Sequence, residues 1–191
     1  MVKVAFIVEG KVEKIIVEYM KNQNWFEQFN IQIVGNIINA KGGGNLCEKN
    51  LDKYISQIKT FNPDKIIILT DLECNKCIDE AKQRIGNCNI CQIILAKKAI
   101  EAWFLADSNL LFTLTNNKLK YFQQPENTIT MPFDEYKEIL LKYTNRGAGT
   151  KVMFARKVLK NGFKIENAAM HQNCQSAKYF IDKLKDIGGV I

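Results

Sequence analysis

The chain has 191 residues, 47% of them hydrophobic and 25% charged, with a formal net charge of +7 from 27 Lys and Arg against 20 Asp and Glu. A chain of that length buries a core without disulfide or metal staples, and no apolar run approaches the ~18 residues of a membrane span. Excess positive charge admits a polyanionic partner, nucleic acid first. Only Arg84, Arg146 and Arg156 are arginines, and lysine is the poorer phosphate fork, so charge alone permits nucleic acid without showing it.

Residues 2–8 (VKVAFIV) read as a buried parallel strand that ends at Glu9-Gly10. The run meets Glu9 with no cleavage-type small-residue site, so neither a signal peptide nor a membrane anchor is expected there. Val12, Ile15, Ile16, Tyr19 and Met20 recur at helical spacing and predict an amphipathic helix over 11–21. A second strand is expected at 31–38 (IQIVGNII), then a loop NAKGGGN and a helix across 45–60. Pro63-Asp64 breaks that helix before the strand 65–70 (KIIILT), which stops at Asp71. A brief helix over 78–85 and a strand at 90–95 follow. Alternating strands and helices predict an α/β fold, a Rossmann-like, mostly parallel four-stranded sheet flanked by helices.

Beyond residue 97 the pattern turns helical. Ile100, Trp103, Phe104 and Leu110-Leu111 suit one or two helices, and 115–132 is polar and loop-like. Helices are expected at 134–143, at 150–160 (capped by Thr150, stopped by Gly162) and at 175–186 with Ser176 as cap. The chain thus reads as a single domain, 1–191, with a core over 1–107 and a mainly helical C-terminal extension over 108–191.

In an open α/β sheet, ligands bind beyond the carboxyl ends of the strands. The first strand delivers Glu9, with Glu13 four residues on. The third delivers Asp71 and Glu73, two apart and on one side of an extended chain. An acid after a strand is often a turn former or helix cap, but this joint occurrence points to a shared rim. Carboxylates crowded there repel unless a hard dication neutralises them, and Mg²⁺ takes carboxylate oxygens while keeping waters for substrate phosphate.

Glu9-Gly10-Lys11-Val12-Glu13, Gly42-Gly43-Gly44, Asp71-Leu72-Glu73 and the stretch Ile100–Asp107 (IEAWFLAD) together resemble a stand-alone TOPRIM-like family related to OLD-type (overcoming lysogenisation defect) nucleases. The resemblance implies a TOPRIM-like fold and Mg²⁺- or Mn²⁺-dependent cleavage of DNA or RNA phosphodiesters. It also implies a setting in phage defence beside an ATPase encoded nearby, and it leaves room for a homodimer. By position, Glu9 would be metal ligand or general acid/base, and Asp71 and Glu73 would hold the metal. Glu73 stands where the family has aspartate. Glu13 would serve a second ion, and Glu101 would complete the acidic cluster; separately from the resemblance, Lys151 is a candidate for stabilising transition-state charge. Asp107 reads equally as a helix cap, and Trp103 and Phe104 as core.

Lys11, Lys41 and the glycines Gly42, Gly43 and Gly44 are candidate phosphate contacts, since consecutive glycines let backbone amides approach an anion. A flexible connection explains the glycines as well, and no P-loop or GxGxxG pattern is present. Lys97 and Lys98 are weaker candidates for contacting developing charge.

Six cysteines (47, 74, 77, 88, 91 and 174) suggest a reducing, cytoplasmic setting with free thiols or a metal site. Cys74-x-x-Cys77 and Cys88-x-x-Cys91 match zinc spacing. The predicted helix between them spans about 12 Å, which puts the pairs at opposite edges of the sheet and argues against zinc. The single histidine, His171, has no evident partner and is expected on a loop or surface. The leading reading is a metal-dependent TOPRIM-type nuclease. The alternatives are a non-catalytic TOPRIM-like partner or nucleic-acid-binding module, and a zinc-ribbon nucleic-acid binder.

Overall fold

The N-terminal apolar run forms β1 (Val2–Val8) in a computed structural model that describes residues 1–72 and 77–190. Glu73 and Cys74 lie outside the described residues. The chain divides into two compact units, Met1–Leu95 with Asp182–Ile191, and Ala96–Ile181.

In the first unit, α1 (Lys11–Asn22) follows β1, as its apolar stripe predicts. The expected strand over 31–38 is instead two short strands, β2 (Ile31–Ile33) and β3 (Ile38–Asn39). Gly35, at φ 68°, turns the chain out of extended conformation between them. Both pair in parallel with one edge of β1, β2 along Val2–Val4 and β3 along Ile7–Val8. After α2 (Glu48–Lys59), β4 (Lys65–Asp71) returns to the other edge of β1, in parallel, with Val4–Val8 opposite Lys65–Leu69. α3 (Ile78–Ile85) then leads to β5 (Cys91–Ala96), giving a five-stranded sheet of order β2-β1-β4-β5 with β3 also on β1. The α/β class is as predicted, with one strand more.

Alternation sorts the strand side chains. Ala5, Ile7, Ile66 and Ile68 pack with Leu46, Leu51, Ile58 and Ile85 in one buried cluster. Phe6 faces the other way, onto Phe26 of a short 3-10 turn at Trp25–Phe29. The direction of winding reverses between β1 and β4: the chain leaves β1 toward β2 and β3, then crosses back to add β4 and β5 on the opposite side. That reversal is a topological switch point, where the carboxyl ends of neighbouring strands open a crevice.

Cys88 and Cys91 are joined in a disulfide, with Cα atoms 5.1 Å apart, in a turn closed by Cys91 N–H to Cys88 O at 3.0 Å. This corrects the expectation of free or zinc-bound thiols at those two positions, because a four-residue turn brings the Cα atoms within disulfide range. Cys77 is the N-cap of α3, its sulfur accepting Glu80 N–H. Cys174 is buried, and desolvation raises its thiol pKa far above the ordinary range, so it is no nucleophile.

The second unit is helical: α4 (Glu101–Ala106), α5 (Ser108–Leu114), α6 (Pro132–Thr144), α7 (Lys151–Lys160), α8 (Ile165–Met170) and residues 175–181 of α9 (Gln175–Gly188). Every residue of α4 is buried, and Phe104 meets Phe154 and Phe163 edge-on. Tyr136 donates its hydroxyl to Phe104 O at 2.7 Å, and burial pushes its pKa up. Asp107 is a cap, accepting Asn109 and Leu110 N–H at 3.1 Å each, and it also receives Lys164 N–H and the Asn167 amide. Thr150 caps α7 as predicted.

Ser176 is not the cap of α9. The helix begins one residue earlier, and the buried Glu126 carboxylate accepts the N–H groups of Gln175 and Ser176 as well as the Ser176 hydroxyl. A carboxylate at a helix N-terminus is favoured by the exposed N–H groups and the dipole. Residues missed by periodicity include α8, too short to show a pattern.

His171 is 6% exposed rather than on the surface. Its Nδ1 accepts Asn173 N–H at 3.1 Å, which leaves Nε2–H to donate to Phe122 O at 3.0 Å, and its ring stacks on Tyr121. Desolvation lowers its pKa, outweighing the Phe122 bond and the Glu126 charge. The folded protein therefore keeps His171 neutral where the unfolded chain takes a proton. Stability contributed this way is complete above about pH 6.5 and declines as pH falls below it. As the sole histidine, His171 dominates that window, so Tm should fall between pH 7 and 5.5 and fall less in His171→Gln; equal slopes in thermal melts would contradict the assignment.

Candidate functional site

β1 and β4 end at the switch point with Glu9 and Asp71. The ladder continues past β1, because Glu9 N–H donates to Leu69 O at 3.0 Å. The Glu9 side chain reaches across to the end of β4. Its Oε2 accepts the Thr70 hydroxyl and the Asp71 N–H, the latter at 3.1 Å. Glu9, Thr70 and Asp71 are all buried. A carboxylate fixed by two donors on one oxygen keeps the other, Oε1, for further chemistry.

The glycine loop closes over that second oxygen. Gly42 N–H donates to Glu9 O at 2.8 Å, and Gly42 takes φ 120°. A Cβ on Gly43 would stand 3.0 Å from Glu9 Oε1, too close for an ordinary contact, whereas at Gly42 and Gly44 it would meet open space. A side chain at Gly43 would press on the Glu9 carboxylate, so glycine lets the loop lie against it undisturbed. Lys41 N–H is tied to Asn39 Oδ1 at 2.7 Å, while the exposed Lys11 opens α1 directly after Gly10.

Glu13 has a local role. Its Oε2 accepts Gly10 N–H at 2.9 Å, the side chain reaching back from the third helical position to cap α1. Glu13 stands three residues after the N-cap Gly10, the spacing of a capping box, as well as four after Glu9.

Glu101 and Lys151 meet within the second unit. Glu101 is 2% exposed, its Oε1 is 3.4 Å from Lys151 Nζ, and its Oε2 has no hydrogen-bond partner among the described residues. An orphaned buried carboxylate oxygen is costly until a donor, a water or a cation reaches it. Lys98 is engaged elsewhere, its ammonium donating to Thr128 O and Ile129 O.

Among the described residues no group of three or more His, Cys, Asp or Glu side chains is placed to hold a metal ion. Glu9 and Asp71 are oxygen-donor residues at neighbouring strand ends, a ligand type that suits Mg²⁺ or Mn²⁺ rather than structural zinc. Thr70 was missed in the sequence: a β-branched residue closing an apolar strand reads as strand propensity, and only its place beside Asp71 could have flagged it.

Among the described residues no helix is long and apolar enough to cross a membrane. No family model and no curated protein matches the sequence. Among solved structures the chain is similar to the C-terminal region of the Burkholderia pseudomallei OLD protein, at 15% identity and a TM-score of 0.46, over 96% of this chain and 99% of that one.

Proposed function

We propose that this protein is a Mg²⁺- or Mn²⁺-dependent phosphodiester hydrolase acting on DNA or RNA. The observation that carries the reading is the Glu9 carboxylate, pinned through Oε2 by Thr70 and Asp71 at the switch point while a Cβ-free Gly43 borders its Oε1. Glu9 and Asp71, with Glu73, would hold the ion. When bound, it would polarise a phosphate oxygen and lower the pKa of a water. In the alternative role, as general acid/base rather than ligand, Glu9 Oε1 would exchange a proton with the attacking water or leaving oxygen. Gly43 and Gly44 offer backbone N–H groups to phosphate, and Lys11 and Lys41 add positive charge. Within the second unit, buried Glu101 restrains the Lys151 ammonium. From the motif resemblance we extend the proposal to work beside an ATPase in phage defence.

Titrating Mg²⁺ or Mn²⁺ into the protein with plasmid, single-stranded DNA and RNA tests it. Metal-dependent cleavage that EDTA stops is expected. Absence of cleavage with every metal and substrate, alone and with a neighbouring ATPase, would favour a non-catalytic binding module. Thr70 should act as a positioning residue. Thr70→Val removes the donor that orients Glu9 and should weaken Mn²⁺ binding about 10- to 100-fold, the usual effect of losing a group that orients a ligand. Thr70→Ser keeps the hydroxyl and should restore it, as read by Mn²⁺ electron paramagnetic resonance. Equal affinity in Thr70→Val would refute the role.

A further inference from the structure

The net charge is unevenly divided. The second unit holds 13 Lys and Arg against 7 Asp and Glu, a net +6, and the first unit 14 against 13, a net +1. Three of the second unit's seven acids, Glu101, Asp107 and Glu126, are buried and face inward partners, so its surface is more basic than that count.

The excess concentrates in residues 146–164, which carry Arg146, Lys151, Arg156, Lys157, Lys160 and Lys164 and not one acid. Two of the chain's three arginines are among them. Within α7, Phe154, Ala155, Val158 and Leu159 are buried, which turns Met153, Arg156, Lys157 and Lys160 to the opposite face at i, i+3, i+4 and i+7. Arg146, Arg156 and Lys160 are exposed, and Arg146, Arg156, Lys157 and Lys160 have no ion pair among the described residues. By contrast, α6 mixes signs and pairs Lys137 with Asp134 at 2.8 Å.

Folding does not require this arrangement. The helix dipole favours Lys157 and Lys160 in the last turn but disfavours cations at the N-terminal end, where Arg146 and Lys151 stand. Arg156 and Lys160, one turn apart, repel each other. Their separation of about 6 Å along the axis is close to two steps of a strand whose phosphates recur about every 3.4 Å. An anionic membrane is the poorer match, because an interfacial helix needs a free apolar face, and the apolar face of α7 is spent on Phe104, Phe133 and Tyr136.

We propose that the acid-free face of residues 146–164, centred on Arg156 and Lys160, is where this protein grips the phosphate backbone of its nucleic-acid partner. The proposal takes its class of partner from the proposed function and places the contact on the second unit, whereas the sequence suggested first-unit lysines and glycines.

The test is anisotropy of a labelled 20-nucleotide DNA and RNA across a salt series in EDTA, with the proposed chemistry switched off. Arg156→Gln/Lys160→Gln should weaken binding at least tenfold at 100 mM salt and reduce the slope of log K against log[salt] by about two contacts, about 0.7 each for a single strand. Lys49→Gln/Lys53→Gln, an exposed pair on α2, removes the same charge from the first unit and should leave both unchanged. Equal weakening by both pairs, or none by either, would overturn the proposal, as would failure of the wild type to bind. So would phosphatidylserine vesicles held through Arg156 and Lys160 more tightly than the oligonucleotide. Binding that depends on α7 without cleavage under any metal would retire the hydrolase reading and keep this one.

Discussion

Asp71→Asn should lower metal-dependent cleavage by about 10³-fold, roughly 4 kcal/mol of transition-state stabilisation, and leave Tm nearly unchanged. The substitution is close to isosteric. Asp71 closes β4, and the contact that ties Glu9 to this point uses the Asp71 main-chain N–H, which asparagine retains. That tie to Glu9 therefore survives the substitution. Initial rates at saturating Mn²⁺, measured beside thermal melts, distinguish this from damage to the sheet. A variant that keeps the wild-type rate would remove Asp71 from the chemistry.

Trp103→Ala should be the costliest single truncation in the second unit, about 3–5 kcal/mol, a large part of the 5–15 kcal/mol typical of a whole domain. Trp103 is fully buried on α4 and packs on Phe180 at 5.4 Å between ring centroids. Its indole N–H donates to Ser176 Oγ at 2.7 Å, and that hydroxyl in turn donates to Glu126, the carboxylate that caps α9. Truncation opens a cavity and cuts this chain at its inner end. Trp103→Phe, which keeps most of the volume and loses the donor, should cost less, about 1–3 kcal/mol for the hydrogen bond and imperfect refilling. Urea unfolding followed by far-UV circular dichroism reads the difference. Equal midpoints for wild type and Trp103→Ala would show that the indole does not anchor this core.

What the sequence made legible was what short-range pattern encodes. The uninterrupted apolar runs gave β1, β4 and β5, the helical stripe of Val12, Ile16 and Met20 gave α1, and Thr150 with Gly162 bracketed α7. Gly35 was harder, because a glycine inside an apolar run does not announce a positive φ, and the split into β2 and β3 depends on both pieces finding one edge of β1. Glu9 and Asp71 were legible as neighbours because each directly follows an apolar strand run. Glu13 was read only against Glu9, four residues back, and its cap on Gly10, three back, was not anticipated.

The remaining features are long-range. Glu126 meets α9 across about fifty residues, and His171 meets Phe122 across 49. No local window contains either pairing. Thr70 falls between the two cases: adjacent to a predicted ligand, its function is set by Glu9 from another strand, 61 residues away. The charge asymmetry needed only counting, but the boundary at Leu95 and Ala96 that gives the count its meaning comes from the fold.

The most direct measurement is anomalous scattering from crystals soaked in Mn²⁺. A peak about 2.1 Å from carboxylate oxygens of both Glu9 and Asp71, lost in Asp71→Asn, is the predicted result. Millimolar Mn²⁺ that leaves this rim empty while the two side chains stay well ordered would contradict the account.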